Sequence, residues 1–393
     1  MLLYWLWFIQ IDTLSRRQKL AILRHFEDIE SLYQCKTYQN IPELTPEQIA
    51  SLQEKDLRAA KTVHNICLRK NINVLTLSDS DYPRLLRNIS EPPLVLFCKG
   101  ILPDFNQKPA IGVVGTRKAT SYGLGVARKF GKELSTCGGI VVSGGAAGID
   151  TAALNGALDA GGQTVAVLGC GVDVTYPRTN RKLFMQIQEK GCLLSEYLPG
   201  TQPKPWQFPE RNRIISGLSN GVLVIEAPER SGALITARDA LEQGRDVYTV
   251  PANIDMPSCA GSNALLSDGA GAVLTGWDVM KVYEAQYPGT VSRAATAEKK
   301  PVLQVAQPVE IPVFDKKDID NSRNNSYSVK IDEDSALSEE EQKVLAALSR
   351  TPVEMDDLIE QLDIPAGQVL KIITKLSLDG KIQNHPGRLV SLR

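Results

Sequence analysis

Two short glycine turns, separated by about one helix, constrain what this chain can fold into. The first is Val114-Gly115-Thr116-Arg117, and the second is the run Ser-Gly-Gly-Ala-Ala-Gly-Ile-Asp from Ser143 to Asp150. Each follows a short apolar segment and leads into a segment of small residues, which is the strand, turn and helix order of a βαβ unit. Glycine lets the backbone approach a ligand closely, and free N–H groups at a helix start favour negative charge. The two turns therefore predict an α/β fold that binds an anion.

Apolar segments recur regularly through the middle of the chain and predict the strands of a sheet. Because they are rich in β-branched residues and lack polar alternation, we expect strands buried on both faces, as in a parallel sheet with flanking helices. Ligands of such sheets bind at the carboxyl ends of the strands, where the glycine turns lie. We place the strands at 110–114, 140–143, 164–168, 192–195, 221–225, 247–250 and 271–274.

The residues before the sheet predict a small helical domain over 1–78. Leu20, Leu23 and Phe26 mark the buried face of one helix, and Asp12 or Thr13 is a suitable cap for it. The layout is similar to that of SAM or helix-hairpin-helix domains, but the turn at 11–15 lacks the glycines that would present N–H groups to DNA. A structural or protein-contacting domain is favoured, and the basic residues at 16, 17 and 19 leave a weak DNA contact open.

The sheet domain is expected over 79–285 and is followed by a change of composition. Residues 286–337 are rich in Pro, Ala, Gln, Lys, Asp and Asn with little periodicity, and they predict a flexible linker. From 338 to 393 a capping box at Ser338 to Glu341, three helices and a hairpin predict a winged-helix domain. Because this domain has more acidic than basic side chains, docking of a protein is favoured over reading of DNA bases.

Composition narrows the compartment and the kind of partner. The chain has 393 residues and a formal net charge of −1, so any nucleic-acid surface must be a local patch. Seven cysteines without a Cys-x-x-Cys pair are typical of reduced thiols in a cytosol. The apolar start, Met1 to Ile11, lacks a basic flank and predicts a core helix, and no apolar run is long enough to cross a membrane. We expect a cytoplasmic protein.

Several catalytic and cofactor-binding sites are disfavoured by the spacing of their residues. The dinucleotide fingerprint Gly-x-Gly-x-x-Gly is absent after the first strand, and Gly125 to Lys132 has one residue too many for a P-loop. The three histidines lie outside 79–285, and no metal-ligand spacing occurs. Four carboxylates near strand ends suit caps or ion pairs better than catalysis; they are Asp150, Asp173, Glu196 and Glu226. We expect no catalytic residue, metal or cofactor.

A basic segment interleaved with aromatic residues runs from Tyr176 to Arg213. Basic side chains that follow a backbone, with aromatic faces for bases, are the usual arrangement for single-stranded nucleic acid. A solvated charged face is the alternative interpretation. The run Phe208 to Arg213 favours nucleic acid, because Pro209 can open a helix whose first turn contains both arginines.

Seven ordered motifs make this chain resemble the DNA-processing protein A family (DprA/Smf). They are Val113 to Arg117, Ser143 to Asp150, Ala166 to Asp173, Tyr176 to Asn180, Phe208 to Leu218, Ser231 to Ala237 and Gly261 to Asn263. The resemblance covers roughly residues 80 to 275, and the flanking domains match in layout only.

This resemblance implies an extended Rossmann-like domain that binds single-stranded DNA without sequence preference and is not an enzyme. It also implies a homodimer through that domain, protection of incoming DNA in natural transformation, loading of the RecA recombinase, and a contact with single-strand-binding protein. Arg117 and the Ser143 turn would hold phosphates. The implied DNA-binding residues are Gly115, Thr116, Arg117, Ser143, Gly144, Gly145, Gly148, Arg178, Asn180, Arg181, Lys182, Arg211, Asn212, Arg213, Ser231 and Gly232.

Two other functions use a similar sheet. A nucleotide-processing hydrolase of the lysine-decarboxylase-like, cytokinin-activating type would have a Gly-Gly-x-Gly-Thr motif followed by glutamate, a spacing that the run at 144–149 does not fit. A protein-interaction scaffold would not need the basic segment.

Overall fold

The structure is a computed structural model. The chain forms two compact units, Met1–Val302 and Leu303–Arg393. It describes residues 1–38, 41, 44–293, 338–349, 353–362, 364, 366–379, 381–385 and 389–392. Most of the predicted linker over 286–337 lies outside the described residues. Within these ranges, none of the helices is both long and apolar enough to cross a membrane.

Five helices form the start of the first unit. The helix α1 is apolar on most of its surface, and Trp5 and Phe8 are buried in it, as predicted for a core helix. The cap of α2 differs from the prediction, because Ser15 caps it in a reciprocal box with Gln18 instead of Asp12 or Thr13. The bounds are α1 (Leu2–Ile9), α2 (Arg16–Leu23), α3 (Ile29–Gln34), α4 (Pro46–Gln53) and α5 (Arg58–Arg69).

A sheet of nine strands follows, in the spatial order β1-β2-β6-β5-β4-β3-β7-β8-β9. Seven of its strands match the predicted segments to within two residues, and the predicted fold class is confirmed. The strands are β1 (Asn73–Thr76), β2 (Val95–Gly100), β3 (Ala110–Val114), β4 (Ile140–Ser143), β5 (Thr164–Val167), β6 (Cys192–Ser195), β7 (Gly221–Val224), β8 (Asp246–Thr249) and β9 (Gly271–Ala272). Those from β3 to β7 are buried on both faces.

One strand departs from the parallel arrangement. The strand β2 runs antiparallel to both of its neighbours, β1 and β6, while the pairs from β6 to β9 are parallel. Moreover, β1 lies before residue 79, in the segment that the sequence assigns to the helical domain. The domain boundaries themselves stay predictions.

Helices cover both faces of this sheet. They are α6 (Arg84–Arg87), α7 (Ser121–Thr136), α8 (Ile149–Asp159), α9 (Arg181–Lys190), α10 (Gln207–Leu218), α11 (Gly232–Glu242), α12 (Ala260–Ser267) and α13 (Gly276–Met280). The chain moves from β3 to β4 on one side, whereas β7 pairs with β3 on the other side. The order in which strands are added to the sheet therefore reverses between β3 and β7. Ligands of α/β sheets bind at such a reversal, beyond the carboxyl ends of the strands.

Ion pairs attach the N-terminal helices to the sheet domain. Arg16 lies 2.6 Å from Glu210 and 3.5 Å from Glu196, and Arg17 lies 2.5 Å from Glu91. At the other end of the helical region, Lys70 pairs with Asp173. Arg16 and Arg17, which the sequence suggested as a weak DNA contact, thus form ion pairs within the first unit.

The second unit is a small winged-helix domain with its own apolar core. Its elements are α14 (Glu339–Ala347), β10 (Val353–Glu354), α15 (Met355–Gln361), α16 (Ala366–Leu378), β11 (Ile382–His385) and β12 (Leu389–Leu392). The predicted capping box is present, with Ser338 and Glu341 bonded reciprocally. Most of the turn of the predicted hairpin, residues 386–388, lies outside the described residues.

Candidate nucleic-acid interface

An open pocket of about 450 Å³ lies at the carboxyl ends of β3 and β7. Its walls come from the loop after β3, the loop after β4, the start of α10 and the segment that joins β7 to α11. Because β3 and β7 are neighbours at the reversal of strand order, residues more than 100 positions apart meet here. The lining residues include Gly115, Thr116, Arg117, Lys118, Ala146, Asp150, Tyr176, Phe208, Pro209, Arg211, Asn212, Pro228, Arg230, Ser231 and Gly232.

The loop after β3 is held by the segment after β7. The Thr116 amide donates to the carbonyl oxygen of Glu226 at 2.7 Å. The buried Glu226 carboxylate accepts from the Thr120 amide and hydroxyl, both at 3.1 Å, and Thr120 in turn caps α7. The amide of Arg117 has no hydrogen-bond partner in the described part of the chain. This loop therefore brings an unpaired amide and the Arg117 side chain to the pocket.

The glycine turn after β4 is organised by Asp150. Its Oδ2 accepts hydrogen bonds from the amides of Gly144 at 3.1 Å and Ala146 at 3.3 Å. Burial raises the pKa of Asp150, and Arg211 acts against this rise. The amide of Gly144, which was expected to face a phosphate, is therefore used inside the turn.

Gly148 at the end of this turn packs against the loop after β3. Its φ is +84°, and a Cβ at this position would lie 2.4 Å from the carbonyl oxygen of Thr116. Only glycine fits this conformation and this contact without strain. Gly148 thus sets the spacing of the two loops instead of facing the pocket.

Arg211 forms part of the pocket floor from a buried position on α10. It is 4% exposed, and its Nη1 donates to the carbonyl oxygens of Gly144, at 2.7 Å, and Val167. Burial lowers the pKa of Arg211 to about 10, with Asp150 opposing the shift, so the guanidinium is charged at neutral pH. The pocket floor is therefore positive without a flexible side chain.

Three further cations line the rim. Arg117, Lys118 and Arg230 are exposed, and none has an ion-pair partner among the residues that the structure describes. The only acidic side chain among the lining residues is the buried Asp150. The pocket consequently has a net positive charge and suits an anion.

Aromatic rings form the side of the pocket next to Arg117. The ring centroids of Tyr176 and Phe208 are 5.4 Å apart at 36°, and the guanidinium carbon of Arg117 lies 5.3 Å from the centroid of Phe208. Tyr176 is exposed, and Phe208 is half-buried. Aromatic faces beside free cations can hold an unstacked base and its phosphate together.

The structure brings seven of the sixteen sequence-predicted DNA-binding residues into this pocket. They are Gly115, Thr116, Arg117, Arg211, Asn212, Ser231 and Gly232. Ser231 caps α11, and Asn212 donates from Nδ2 to the carbonyl oxygen of Gly232 at 3.2 Å. The Gly232 amide has no partner in the described ranges and is a second free donor at the pocket.

Other predicted residues stabilise the loops from behind. The buried Ser143 hydroxyl donates to the carbonyl oxygen of Val113 at 2.7 Å. The buried Asn180 donates from Nδ2 to the carbonyl oxygen of Gly145 at 2.9 Å and to Thr151 at 2.7 Å. Gly144 and Gly145 are buried as well. These four support the turn and do not line the pocket.

The predicted basic residues at 178–182 lie on the surface beside Tyr176. Arg178, Arg181 and Lys182 are exposed, and they have no partner among the described side chains. Arg181 and Lys182 are the first residues of α9. Arg178 begins the short 3-10 helix that precedes α9 and ends at Asn180. They do not line the pocket, and their role in DNA binding stays a prediction.

Arg213 and the candidate carboxylates are used in internal contacts. Arg213 is 13% exposed and lies 2.6 Å from Glu196. Asp173 pairs with Lys70 at 2.5 Å and accepts from the Gly200 amide at 2.7 Å. In the described ranges, no group of three or more His, Cys, Asp or Glu side chains could hold a metal ion.

Sequence reasoning missed two pocket cations, Lys118 and Arg230. Lys118 directly follows Arg117, and Arg230 directly precedes the predicted Ser231 and Gly232. Their positions next to a glycine turn and a helix cap were the sequence signal by which both cations could have been predicted. Tyr176 and Phe208 were recognised as aromatic residues of the basic segment but not placed in the site.

Comparisons with known proteins place the chain in a family. A family model described as DNA recombination-mediator protein A matches residues 73–284, and one described as the DprA winged helix domain matches 332–388. Protein Smf from Synechocystis is 36% identical over 326 residues, 81% of this chain and 80% of that protein. DNA processing protein DprA from Bacillus subtilis is 42% identical over 215 residues, which cover 55% of this chain and 71% of that protein.

Two solved structures are similar in fold. The X-ray structure of DNA processing protein A from Streptococcus pneumoniae has a TM-score of 0.60 and 35% identity, covering 72% of this chain and 98% of that one. The Helicobacter pylori DNA processing protein A, solved for its single-stranded DNA binding mode, has a TM-score of 0.50 and 28% identity, covering 55% and 97%. Together with the matched models, these similarities confirm the resemblance that the motifs predicted: the chain belongs to the DNA recombination-mediator protein A family.

Proposed function

We propose that the pocket between β3 and β7 binds single-stranded DNA without sequence preference. The observation on which this rests most is the placement of Arg117, whose guanidinium has no ion-pair partner among the described residues and lies 5.3 Å from the centroid of the Phe208 ring. One side chain can therefore contact a phosphate while the ring beside it stacks on the base. The free amides of Arg117 and Gly232 add neutral donors for phosphate oxygens.

The same contacts explain the expected preference for a single strand. A ring such as Tyr176, 41% exposed, can stack only on a base that has left the duplex stack. Guanidinium and amide groups bind the sugar-phosphate chain, which has the same chemistry at every position. We therefore expect affinity for single strands of any sequence and weaker binding of duplexes.

Beyond the pocket, the strand would continue along the exposed cations at the start of α9. Arg178, Arg181 and Lys182 are unpaired within the described residues and follow Tyr176 in the chain. The remaining predicted residues, Ser143, Gly144, Gly145, Gly148, Asn180 and Arg213, would act by fixing the loops.

We propose a binding protein and not an enzyme. The carboxylates near the pocket are used internally, since Asp150 holds two amides of its own turn and Glu226 holds Thr120. Neither is placed as a free acid or base. We expect no release of base from a nucleoside monophosphate by the purified protein.

The biological role is proposed from the family. Relatives are named as DNA processing proteins, and the Helicobacter pylori relative binds single-stranded DNA. We propose that this chain protects incoming DNA in natural transformation, loads the RecA recombinase past single-strand-binding protein, and forms a homodimer through the Rossmann-like domain. Its seven free cysteines, six of them buried, suit the reducing cytoplasm.

A salt-dependent titration tests the DNA-binding proposal. Fluorescent oligo-dT, a mixed-sequence single strand and the matching duplex would be titrated with the full chain at several salt concentrations. We expect similar affinities for the two single strands, at least about tenfold weaker duplex binding, and an affinity that falls with salt. Equal binding of duplex and single strand would refute the proposal.

A further inference from the structure

The exposed side chain of Trp206 lies directly beside the pocket. It is 53% exposed, whereas Trp5 and Trp7 are buried at 5% and 6%. Its neighbours Pro205 and Phe208 line the pocket, and Trp206 itself lies outside the lining. A large indole exposed next to a binding pocket usually indicates a contact surface.

We propose that Trp206 is a second base-stacking position, which holds the nucleotide next to the one bound at Phe208. This inference rests on the proposed function, since it extends the path of the same strand by one base outside the pocket. An indole face stacks on any base, so the added contact would raise affinity without adding sequence preference.

A ring that is already held in place binds with less loss of entropy, and Trp206 is held by Tyr197. The two ring centroids are 6.3 Å apart at 74°, an edge-to-face contact. The Tyr197 hydroxyl donates to Oε2 of Glu210 at 3.4 Å, and the same oxygen accepts from Arg16 at 2.6 Å. This chain of contacts connects the indole to α2.

The charges around Trp206 are compatible with a phosphate chain. Lys204 is exposed two residues before it and has no ion-pair partner in the described residues. Glu210, which lies four residues after Trp206, is paired with Arg16. The indole Nε1 also has no acceptor within the described part of the chain, so it is free to donate to a ligand.

Tryptophan fluorescence reports the proposed contact directly. We expect oligo-dT to quench the emission of the full chain, because a stacked base quenches an indole. Trp206→Phe should lose most of this quenching while binding nearly as tightly, since a benzene ring still stacks. Trp277→Phe, which changes a half-buried tryptophan on α13, should retain the quenching.

Affinity for oligonucleotides of different lengths separates this contact from the pocket. Trp206→Ala should weaken binding of a dT strand of about 12 nucleotides by about tenfold, and change binding of a single thymidine nucleotide, which fills only the position at Phe208, little. Ile101→Ala is the matched control, because Ile101 is 56% exposed and bonds to Gly191 at the opposite edge of the sheet. It should bind both ligands like the unchanged chain.

The outcomes separate the two proposals. If the unchanged chain fails to bind single strands, the proposed function fails. If it binds but Trp206→Phe keeps the full quenching, or Trp206→Ala binds the long strand normally, the stacking position is refuted while the pocket stands. A change of oligomeric state in Trp206→Ala by light scattering would also refute it, because the indole would then contact a second copy.

Discussion

Arg211 donates a hydrogen bond to the carbonyl oxygen of Gly144 across 2.7 Å, and this contact joins α10 to the glycine turn after β4. The same guanidinium also bonds to the carbonyl oxygen of Val167 at the end of β5. One buried cation therefore connects α10, the turn after β4 and the end of β5. In the proposed function its charge would attract a phosphate at the pocket floor, while its hydrogen bonds hold the surrounding backbone in place.

The first prediction concerns this dual role. Arg211→Lys should lower the free energy of unfolding by about 2–4 kcal/mol, because a lysine lacks the planar fork that reaches both carbonyl groups. Urea denaturation measures this loss. Arg230→Lys is the control, since Arg230 is exposed and should leave the unfolding midpoint unchanged. Equal stability of the two variants would show that the buried contacts contribute little.

Arg117→Ala should weaken single-strand binding without affecting stability. Loss of one phosphate contact should lower affinity about tenfold and reduce the slope of log K against log salt by about 0.7–1. Fluorescence anisotropy at several salt concentrations measures both. Lys190→Ala, an exposed lysine at the far end of α9, is the charge-matched control. An unchanged salt slope in Arg117→Ala would argue against a phosphate contact.

Arg230→Ala tests one of the two pocket cations that the sequence did not predict. Because Arg230 lines the pocket and is free of ion pairs within the described residues, its removal should lower affinity for oligo-dT about three- to tenfold. The effect should shrink at high salt, as expected for a rim charge. The same anisotropy titration detects it, and full affinity at low salt would place the strand elsewhere.

Arg213→Ala should lower stability and leave DNA affinity nearly unchanged, whereas Arg117→Ala should lower affinity and leave stability unchanged. Arg213 and Glu196 are 13% and 17% exposed and lie 2.6 Å apart. Removing Arg213 leaves Glu196 in a poorly solvated position with the more distant Arg16, at 3.5 Å, as its remaining described partner, which costs about 3 kcal/mol. We expect a lower urea midpoint together with nearly normal DNA affinity per folded molecule. A variant that keeps its stability but binds DNA weakly would indicate that Arg213 contacts the DNA directly.

Lys19→Met should change how stability depends on pH. Burial lowers the pKa of Lys19 to about 8, below its ordinary value of 10.5, although its ammonium donates to the carbonyl oxygen of Ile9. The unfolded chain then binds more protons than the folded chain between these values, so stability should rise with pH across that window.

The size of this effect follows from the same shift. Below about pH 8 the buried ammonium is charged and destabilising, and raising the pH from 7 to 10 should recover about 2 kcal/mol. Lys19→Met lacks the titrating group, so its advantage over the unchanged chain at pH 7 should nearly vanish at pH 10. Guanidinium denaturation at both values measures the difference. Parallel pH profiles for the two proteins would show that Lys19 titrates normally.

Much of the architecture was predictable from the sequence, because its determinants are local. Short β-branched segments followed by glycine turns predicted the strands and loops of the sheet. The box at Ser338 and Glu341 also involves residues three positions apart and was predicted correctly. The Ser15 cap was missed, since several suitable residues stand side by side before α2.

The composition of the pocket was decided by the tertiary structure. The sequence alone determined a mostly parallel α/β sheet with glycine turns after its strands and a segment of interleaved basic and aromatic residues. It could not distinguish the exposed Arg117 from the paired Arg213, because the partner of Arg213 lies 17 residues away on another element. Only the pairing of β7 with β3 brings Arg230 to Arg117, since that contact depends on strand order and not on any local pattern.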